Sequence, residues 1–172
     1  MERHWIGSVA LLVVVALLIV RPWEGGDQGD EGPAAAKAVV TRVVDGDTIE
    51  VRIGDRAEDV RLIGIDTPET VKPGAPVECF GPQASRFAHR LLERRRVRLV
   101  FGVERRDAYG RLLAYAYMGP PSQRRFVNAI LARRGLARSL TIPPNDRFAP
   151  LLRRLELAAA RAGRGLWGAC PP

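Results

Sequence analysis

The chain has 172 residues, 47% hydrophobic and 27% charged, a globular composition with room for one domain and a short appendage. Its net charge of +8 is uneven, because residues 1–36 carry −3 and the remainder +11. A basic body favours polyanionic partners such as nucleic acid, although 25 of the 27 basic residues are arginines, a skew that genome composition also produces. No second cysteine or histidine lies at metal-ligand spacing from either cysteine, which argues against zinc.

An apolar run from Ile6 to Val20 contains no charge and no polar face, so it predicts an N-terminal hydrophobic helix rather than a core helix. Trp5 and Trp23 are placed to anchor it at both membrane interfaces. Because Arg21 follows instead of a small-residue cleavage site, we expect an uncleaved signal-anchor over residues 1–23 rather than a cleaved signal and a secreted protein. The charges flanking the run place the body on the extracytoplasmic side of the cell membrane.

The next segment, residues 24–36, is acidic, rich in glycine and almost free of large apolar side chains. This composition is typical of a flexible linker. The sequence therefore predicts an anchor, a linker and a folded body over residues 37–172.

Five strands are predicted in the folded body. An Asp-Gly turn ends the first, the second alternates apolar and polar residues, and a polar loop over residues 54–59 precedes the third. A long proline-containing loop follows the third strand, and a polar turn around Gly110 separates the last two. The predicted strands are 39–44, 48–53, 60–65, 97–103 and 112–118.

About three amphipathic helices are predicted as well. The first begins at Pro82 and has an apolar stripe that extends to Leu92. The second covers residues 126–134, and the third is capped by Asp146 and ends at Gly163. A helix between the third and fourth strands and two helices after the fifth match an α+β fold, a five-stranded Greek-key OB barrel with helical additions.

Two acidic clusters follow strands of this barrel. Asp45 and Asp47 lie in the turn after the first strand, and Asp66 and Glu69 follow the third. Either cluster alone is explained by turn formation, but both end strands of one small barrel and can meet at one rim. Carboxylates brought together repel unless a cation joins them, and oxygen ligands favour a hard cation. Together the clusters indicate a metal site.

Two arginines accompany the acidic clusters. Arg61 lies on the third predicted strand, sharing a side with Ile63 and Ile65, where a charge is unusual unless it is paired or used. Arg111 lies in the turn before the fifth strand. Guanidinium groups bind phosphate oxygens through paired hydrogen bonds. The alternatives are that Arg61 pairs with a rim carboxylate and that Arg111 is only solvated.

The cysteines, Cys79 and Cys170, are far apart in the chain. In an oxidising compartment an even number of cysteines favours a bond, which here would tie the C-terminal tail to the domain. Two unpaired thiols are the alternative.

The ordered motifs of the chain resemble those of the staphylococcal nuclease family, also called micrococcal nuclease or thermonuclease. The resemblance covers about residues 38–168, and the motifs follow in the same order and spacing. They are Val44-Asp45-Gly46-Asp47-Thr48, Arg61-Leu62-Ile63-Gly64-Ile65-Asp66-Thr67-Pro68-Glu69-Thr70, Phe80-Gly81-Pro82-Gln83-Ala84-Ser85, Asp107-Ala108-Tyr109-Gly110-Arg111, Gly135-Leu136-Ala137 and Leu166-Trp167.

The resemblance implies a calcium ion bound by the carboxylates of Asp47 and Asp66 and by the backbone carbonyl of Thr67. Glu69 would act through water, either as the general base or as the group that orients the attacking molecule. The activity implied is a calcium-dependent endonuclease that cuts DNA, RNA or both and leaves 3′-phosphate ends.

Further roles follow from the same resemblance. Arg61 and Arg111 would hold the scissile phosphate and stabilise the charge that develops on it, and Tyr109 would contact a neighbouring phosphate. We expect a monomer. The alternatives are a non-catalytic nucleic-acid-binding OB module on the cell surface, or a surface calcium or adhesion domain. Degenerate family members lose these carboxylates or arginines, whereas this sequence keeps them.

The sequence departs from the family where the nucleotide base is held. Thr141 and Pro143 stand where the best-known member has two stacking tyrosines. Ala108 replaces a basic residue, and Gly74 and Ala75 replace lysines of the loop after the Thr-Pro-Glu-Thr motif. Base stacking contributes about 1–3 kcal/mol per base, so we expect nucleotides to be bound differently here.

Two further features follow from the resemblance. In this family the C-terminal Trp-Gly segment packs back onto the body, which would bring Cys170 near Cys79, and we hypothesise a disulfide between them. The peptide bond of Pro143-Pro144 falls where the family has a cis X-Pro bond, and we expect cis here.

Overall fold

The structure is a computed structural model that describes residues 34–71, 74 and 76–170. The predicted signal-anchor over residues 1–23 and all but the last three residues of the predicted linker, 24–36, lie outside the described residues. Within the described part of the chain, the helices are too short or too polar to cross a membrane.

The strands of the described residues build a closed barrel. In sheet order β3-β2-β1-β5-β6 each strand is antiparallel to its neighbour, and a parallel pairing of β3 with β6 closes the ring. The short β7 extends the sheet beside β6, and β4 pairs with β8. These five long strands confirm the predicted OB barrel. The strands are β1 (Ala35–Asp45), β2 (Thr48–Ile53), β3 (Arg56–Leu62), β4 (Ile65–Asp66), β5 (Arg96–Arg106), β6 (Leu112–Met118), β7 (Arg125–Phe126) and β8 (Arg138–Ser139).

Within the described residues, three helices of seven residues or more surround the barrel, which confirms the predicted number, and a four-residue helix follows them. The prediction that Asp146 caps the third helix is wrong. Phe148 occupies the N-cap position without a side-chain cap, and the backbone carbonyl of Asp146, not its carboxylate, accepts the Ala149 amide at 2.8 Å. The helices are α1 (Gly81–Leu92), α2 (Val127–Arg133), α3 (Ala149–Arg161) and α4 (Leu166–Ala169).

The third predicted strand needs two corrections. The predicted polar loop over residues 54–59 is only a turn at Gly54 and Asp55, because Arg56 to Asp59 pair with β2. The strand also ends at Leu62, before a turn at Ile63 and Gly64. The expectation that Arg61 shares a side with Ile63 and Ile65 is therefore wrong. Its strand neighbours Val60 and Leu62 face the core, and Arg61 lies on the opposite side.

The apolar core fills the barrel and continues between the barrel and the helices. Within α1, Ala84, Ala88 and Leu92 are fully buried, which confirms the predicted stripe, and Leu131 of α2 and Leu152 of α3 join the same core. Burying one such leucine stabilises the fold by about 1.5–3 kcal/mol. Two further strands differ in length from the prediction: β1 begins at Ala35, two residues before the predicted start of the body, and β5 extends over Arg96–Arg106 instead of residues 97–103.

The C-terminal segment packs back on the domain, as expected. Cys79 and Cys170 form the hypothesised disulfide, with Cα atoms 5.8 Å apart. The Leu166 amide donates to the Gly135 carbonyl at 2.8 Å, and a Cβ at Gly135 would lie 2.1 Å from the Arg164 carbonyl oxygen, so only glycine fits there. The Pro143-Pro144 bond is cis, as expected.

Candidate active site

Asp47 is the most enclosed carboxylate of the barrel rim, with only 1% of its surface exposed. One carboxylate oxygen, Oδ2, accepts hydrogen bonds from the Thr67 amide at 2.7 Å and the Thr67 hydroxyl at 2.9 Å, and Oδ1 accepts from Arg61. The approach of Thr67 depends on the preceding Gly46, because a Cβ there would lie 2.7 Å from the Thr67 side chain. The Asp-Gly-Asp turn thus holds a buried carboxylate in one orientation.

Arg61 bridges the two acidic clusters. Its guanidinium donates to Asp47 through Nη1, and Nη2 donates to Asp66 Oδ1 at 2.7 Å and to the Ile65 carbonyl at 3.3 Å. Asp66 remains exposed on β4. The structure therefore brings the two predicted carboxylates together around the Arg61 guanidinium. The alternative prediction that Arg61 pairs with a rim carboxylate is confirmed.

Asp45 attaches the loop that carries Glu69 to this rim. Its Oδ1 accepts the Thr70 hydroxyl at 2.6 Å and the Gly46 amide at 2.8 Å. Glu69 Oε1 accepts the amides of Thr70 and Val71, both at 2.9 Å. Burial raises the pKa of Asp45, although the hydrogen bond from Thr70 opposes this effect. The spacing of the acidic residues did not predict this contact between Asp45 and the loop that carries Glu69.

A cleft of about 790 Å³ lies beside the rim and is lined by four of the predicted residues, Arg61, Glu69, Tyr109 and Arg111. Residues from β3, the loop after β4 and the turn before β6 thus meet at one surface. The metal-ligand candidates Asp47, Asp66 and Thr67 are absent from this lining, but Arg61 lines the cleft and contacts both Asp47 and Asp66.

Arg111 is held in the cleft by Asp107. The Asp107 Oδ2 accepts from Arg111 Nε and Nη2, each at 2.7 Å, and Oδ1 accepts the amides of Tyr109 and Arg111 at 3.0 Å. Partial burial opposes ionisation of Asp107, but its bonds to Arg111 outweigh burial and its pKa is lowered. The alternative that Arg111 is merely solvated is therefore wrong.

Tyr109 is 86% exposed, and the Arg111 guanidinium lies 5.3 Å from its ring centroid. The phenol therefore stands at the open side of the cleft, next to the arginine. Sequence reasoning did not assign Asp107 a function, although an aspartate that accepts backbone amides across a Gly-containing turn is a recognisable Asx motif.

The donor atoms at the rim decide which cation could bind there. Its candidate ligands are oxygen atoms only, which is the set that calcium prefers, and Arg61 shows that Asp47 and Asp66 converge on one positive group. Among the described residues, no three His, Cys, Asp or Glu side chains lie close enough to bind one ion, so the protein would supply two carboxylates and a carbonyl. Burial raises the pKa of Asp47, opposed by Arg61 and Thr67, and a nearby cation would favour its ionised form. The donor set fits calcium.

These features define a class of protein: a small OB barrel whose rim places two guanidinium groups and a carboxylate around one cleft, next to a paired-carboxylate site. Guanidinium pairs of this kind suit the oxygens of a phosphate group.

Comparison with known proteins gives the family. A model described as staphylococcal nuclease homologue matches residues 59–169. The chain is 36% identical to a thermonuclease of Staphylococcus intermedius, over 97% of this chain and 99% of the relative, and 36% identical to a thermonuclease of Staphylococcus hyicus, over 93% and 96%. Endonuclease YncB of Bacillus subtilis is 37% identical over 73% of this chain and 59% of its own length. The chain belongs to the staphylococcal nuclease family.

Proposed function

We propose that this protein is a calcium-dependent nuclease that hydrolyses the phosphodiester bonds of DNA, RNA or both and leaves 3′-phosphate ends. The observation that carries the proposal is the cleft lined together by Arg61, Glu69 and Arg111. Thermonuclease and endonuclease relatives in the same family support nucleic acid as the substrate.

The two arginines bind the scissile phosphate in this proposal. Arg61 and Arg111 hydrogen-bond its non-bridging oxygens and stabilise the negative charge that grows as water attacks phosphorus, a contribution that is usually the largest in such reactions. Asp107 keeps the Arg111 fork in its orientation through two 2.7 Å contacts. Calcium held by Asp47, Asp66 and the Thr67 carbonyl would add positive charge beside the same phosphate.

Glu69 acts on the attacking water in this proposal. Its Oε1 is fixed by the Thr70 and Val71 amides, and Glu69 lines the same cleft as the two arginines. The carboxylate accepts a proton from water or orients it for in-line attack. A 3′-phosphate product requires that the bond between phosphorus and O5′ breaks, so that O5′ leaves as a hydroxyl.

Nucleotide bases contact aliphatic side chains in this proposal. Leu140 and Ile142 line the cleft, and Ile142 is 60% exposed, whereas Thr141 and Pro143 occupy the positions of the family's stacking tyrosines. Because an aliphatic side chain lacks an aromatic face, each base should gain less than the about 1–3 kcal/mol of aromatic stacking. Weak base contacts are consistent with the use of both DNA and RNA.

The protein acts outside the cytoplasm in this proposal, as a monomer tethered to the cell membrane by residues 1–23. The Cys79–Cys170 disulfide supports an oxidising compartment, and the apolar run from Ile6 to Val20 supports the tether.

The decisive experiment compares cleavage of labelled single-stranded DNA and RNA with calcium, with a chelator, and with calcium restored. We expect cleavage to stop with the chelator and return with calcium, and the products to accept 5′ phosphorylation directly because their phosphate is at the 3′ end. Cleavage that persists in the chelator contradicts calcium dependence, and products with 5′ phosphates contradict the bond assignment. Tight binding without any cleavage would favour the non-catalytic OB module.

A further inference from the structure

A second cleft, of about 650 Å³, lies on the barrel away from the active site and shares no lining residue with it. Six charged side chains line it, and five of them are basic. We call it the basic groove, and its charged residues are Lys37, Arg52, Arg96, Arg98, Arg124 and Asp55. The side chains therefore carry a net charge of +4, concentrated on one surface.

The sheet register brings these side chains together. Lys37 of β1 lies opposite Arg98 of β5, and Arg98 lies opposite Tyr117 of β6. Val39, two residues from Lys37, is flanked by Arg52 of β2 and Arg96 of β5. Because side chains two residues apart share a face of a strand, the two rows form one outward surface across four strands, with the Tyr117 ring at its side.

The basic side chains of the groove form no ion pair among the residues that the structure describes. The ion pairs of the described residues include none that involves Lys37, Arg52, Arg96, Arg98 or Arg124, and all five are exposed.

Elsewhere on the same barrel, two exposed arginines form ion pairs with carboxylates of other strands. Arg42 of β1 pairs with Glu50 of the neighbouring β2, and Arg106 of β5 pairs with Glu58 of β3. Like charges placed directly opposite, as Lys37 and Arg98 are, destabilise a sheet. A high arginine content alone does not explain why five basic side chains and only one carboxylate line a single groove.

We propose that the basic groove binds the phosphate backbone of the polynucleotide strand whose scissile bond lies in the active cleft. This inference rests on the proposed nuclease function for its choice of polyanion. Exposed arginines beside an aromatic ring are typical of surfaces that bind single strands without sequence preference. Neutralising a strand's phosphates with arginines releases counterions, so the groove adds affinity that depends on salt.

The separation of the two sites sets the substrate length that can use both. Arg111 directly precedes β6, and Tyr117 lies six positions further along the chain, which corresponds to about 20 Å at the rise of a β-strand. One strand of a duplex carries a phosphate about every 3.4 Å, so roughly six nucleotides span this distance. Longer substrates reach both sites, whereas a tetranucleotide reaches only the active cleft.

The test uses Arg96→Gln with Arg98→Gln, and a matched control, Arg154→Gln with Arg161→Gln, which removes two exposed and unpaired arginines from α3. Binding of a single strand of about 20 nucleotides is measured in chelator as a function of salt. We expect the groove variant to bind about tenfold more weakly and its salt slope to fall by about 1.4, which is two phosphate contacts on a single strand, while the control stays near wild type.

Hydrolysis with calcium provides the second readout. The groove variant should cut the long strand with lower kcat/KM and a tetranucleotide at the wild-type rate. Wild-type affinity of the groove variant for the long strand overturns the proposal, as does an equal loss in the control. Weakened binding to phosphatidylserine vesicles with unchanged polynucleotide binding would also overturn it and assign the groove to a lipid surface. Since binding in chelator needs no cleavage, failure of the nuclease assignment is seen separately.

Discussion

At the rim of the barrel, Asp47 is almost fully buried and its oxygens are held by Arg61 and Thr67. In the basic groove, Lys37 lies opposite Arg98, and neither forms an ion pair within the described part of the chain. Both regions gather charged side chains on one barrel. At the rim the buried carboxylate of Asp47 is paired with Arg61, whereas the groove exposes five basic side chains and one carboxylate.

The difference separates two uses of charge. Enclosed pairs are weakly screened by salt and fix the positions of reacting groups, while exposed charges act over about a Debye length, roughly 8–10 Å, and lose their effect as salt rises. The rim therefore determines the geometry of cleavage, and the groove contributes attraction for the substrate. Changes at one end should leave the function of the other intact.

The largest expected effect is that of Glu69→Gln. The amide keeps the shape of the side chain but cannot accept the proton of the attacking water, so kcat should fall by about 100- to 1,000-fold or more, as for other removed transition-state contacts. Binding of the long strand in chelator should not weaken, because the groove is unchanged. The measurement is single-turnover cleavage together with equilibrium binding.

Glu93→Gln, at an exposed position after α1, is the matched control for Glu69→Gln and should cut at the wild-type rate. Undiminished turnover in Glu69→Gln would remove Glu69 from the mechanism. A parallel loss of strand binding would mean that the two regions are not independent.

A smaller effect is expected for Asp107→Asn. Asparagine keeps an oxygen for the turn amides but loses the charge that holds the Arg111 guanidinium, so kcat/KM should fall by about tenfold to 100-fold. The measurement is a double-mutant cycle of kcat/KM with Arg111→Gln. If Asp107 acts only by positioning Arg111, the double variant is no slower than Arg111→Gln alone. Additive losses would show that Asp107 acts by another route, and the rim pair Arg61–Asp47 should be unaffected in both.

Local periodicity was sufficient to predict much of the fold. The bounds of β2 and β6 are those predicted, because both strands alternate or are continuously apolar against the core. The start of β3 could not be predicted in this way, since Arg56 to Asp59 are polar and only their pairing with β2 makes them a strand. The wrong prediction that Asp146 caps α3 has a similar cause. A carboxylate three residues before a helix caps it only if the side chain accepts hydrogen bonds from the first backbone amides of that helix.

The same limit applies to the sites. The two strand ends are sufficient to predict that Asp47 and Asp66 meet at one rim. The contact of Asp45 with Thr70 joins positions 25 residues apart and is invisible to spacing. The basic groove is the extreme case: Lys37 and Arg98 become neighbours only through the register of β1 and β5, which no short motif records.

The smallest expected effect concerns stability and pH. Burial raises the pKa of Asp47 and of Asp45 above the ordinary aspartate value, although hydrogen bonds and Arg61 oppose it. A group with a raised folded-state pKa stabilises the fold below its ordinary pKa, and that contribution is lost as pH rises through the folded-state pKa. In chelator, the free energy of unfolding should therefore decline as pH rises from about 4, and less so in Asp47→Asn, which should be the more stable protein at neutral pH. Urea unfolding across about pH 4–8 measures both.

Arg98→Gln is the counterpart at the other end of the barrel and makes the comparison quantitative. It relieves the repulsion from Lys37, so it should also stabilise the fold, by a few tenths of a kcal/mol, but guanidinium groups do not titrate in this range. The increase in the free energy of unfolding caused by Arg98→Gln should be independent of pH and should shrink with added salt. The increase caused by Asp47→Asn should grow with pH and change little with salt. Added calcium should reverse only the increase caused by Asp47→Asn. Calcium bound to the folded state stabilises the wild type more than a variant that lacks one of the metal-binding carboxylates. If the free energy of unfolding of the two variants changes equally with pH, burial at the rim does not distinguish Asp47 from the exposed charges of the groove.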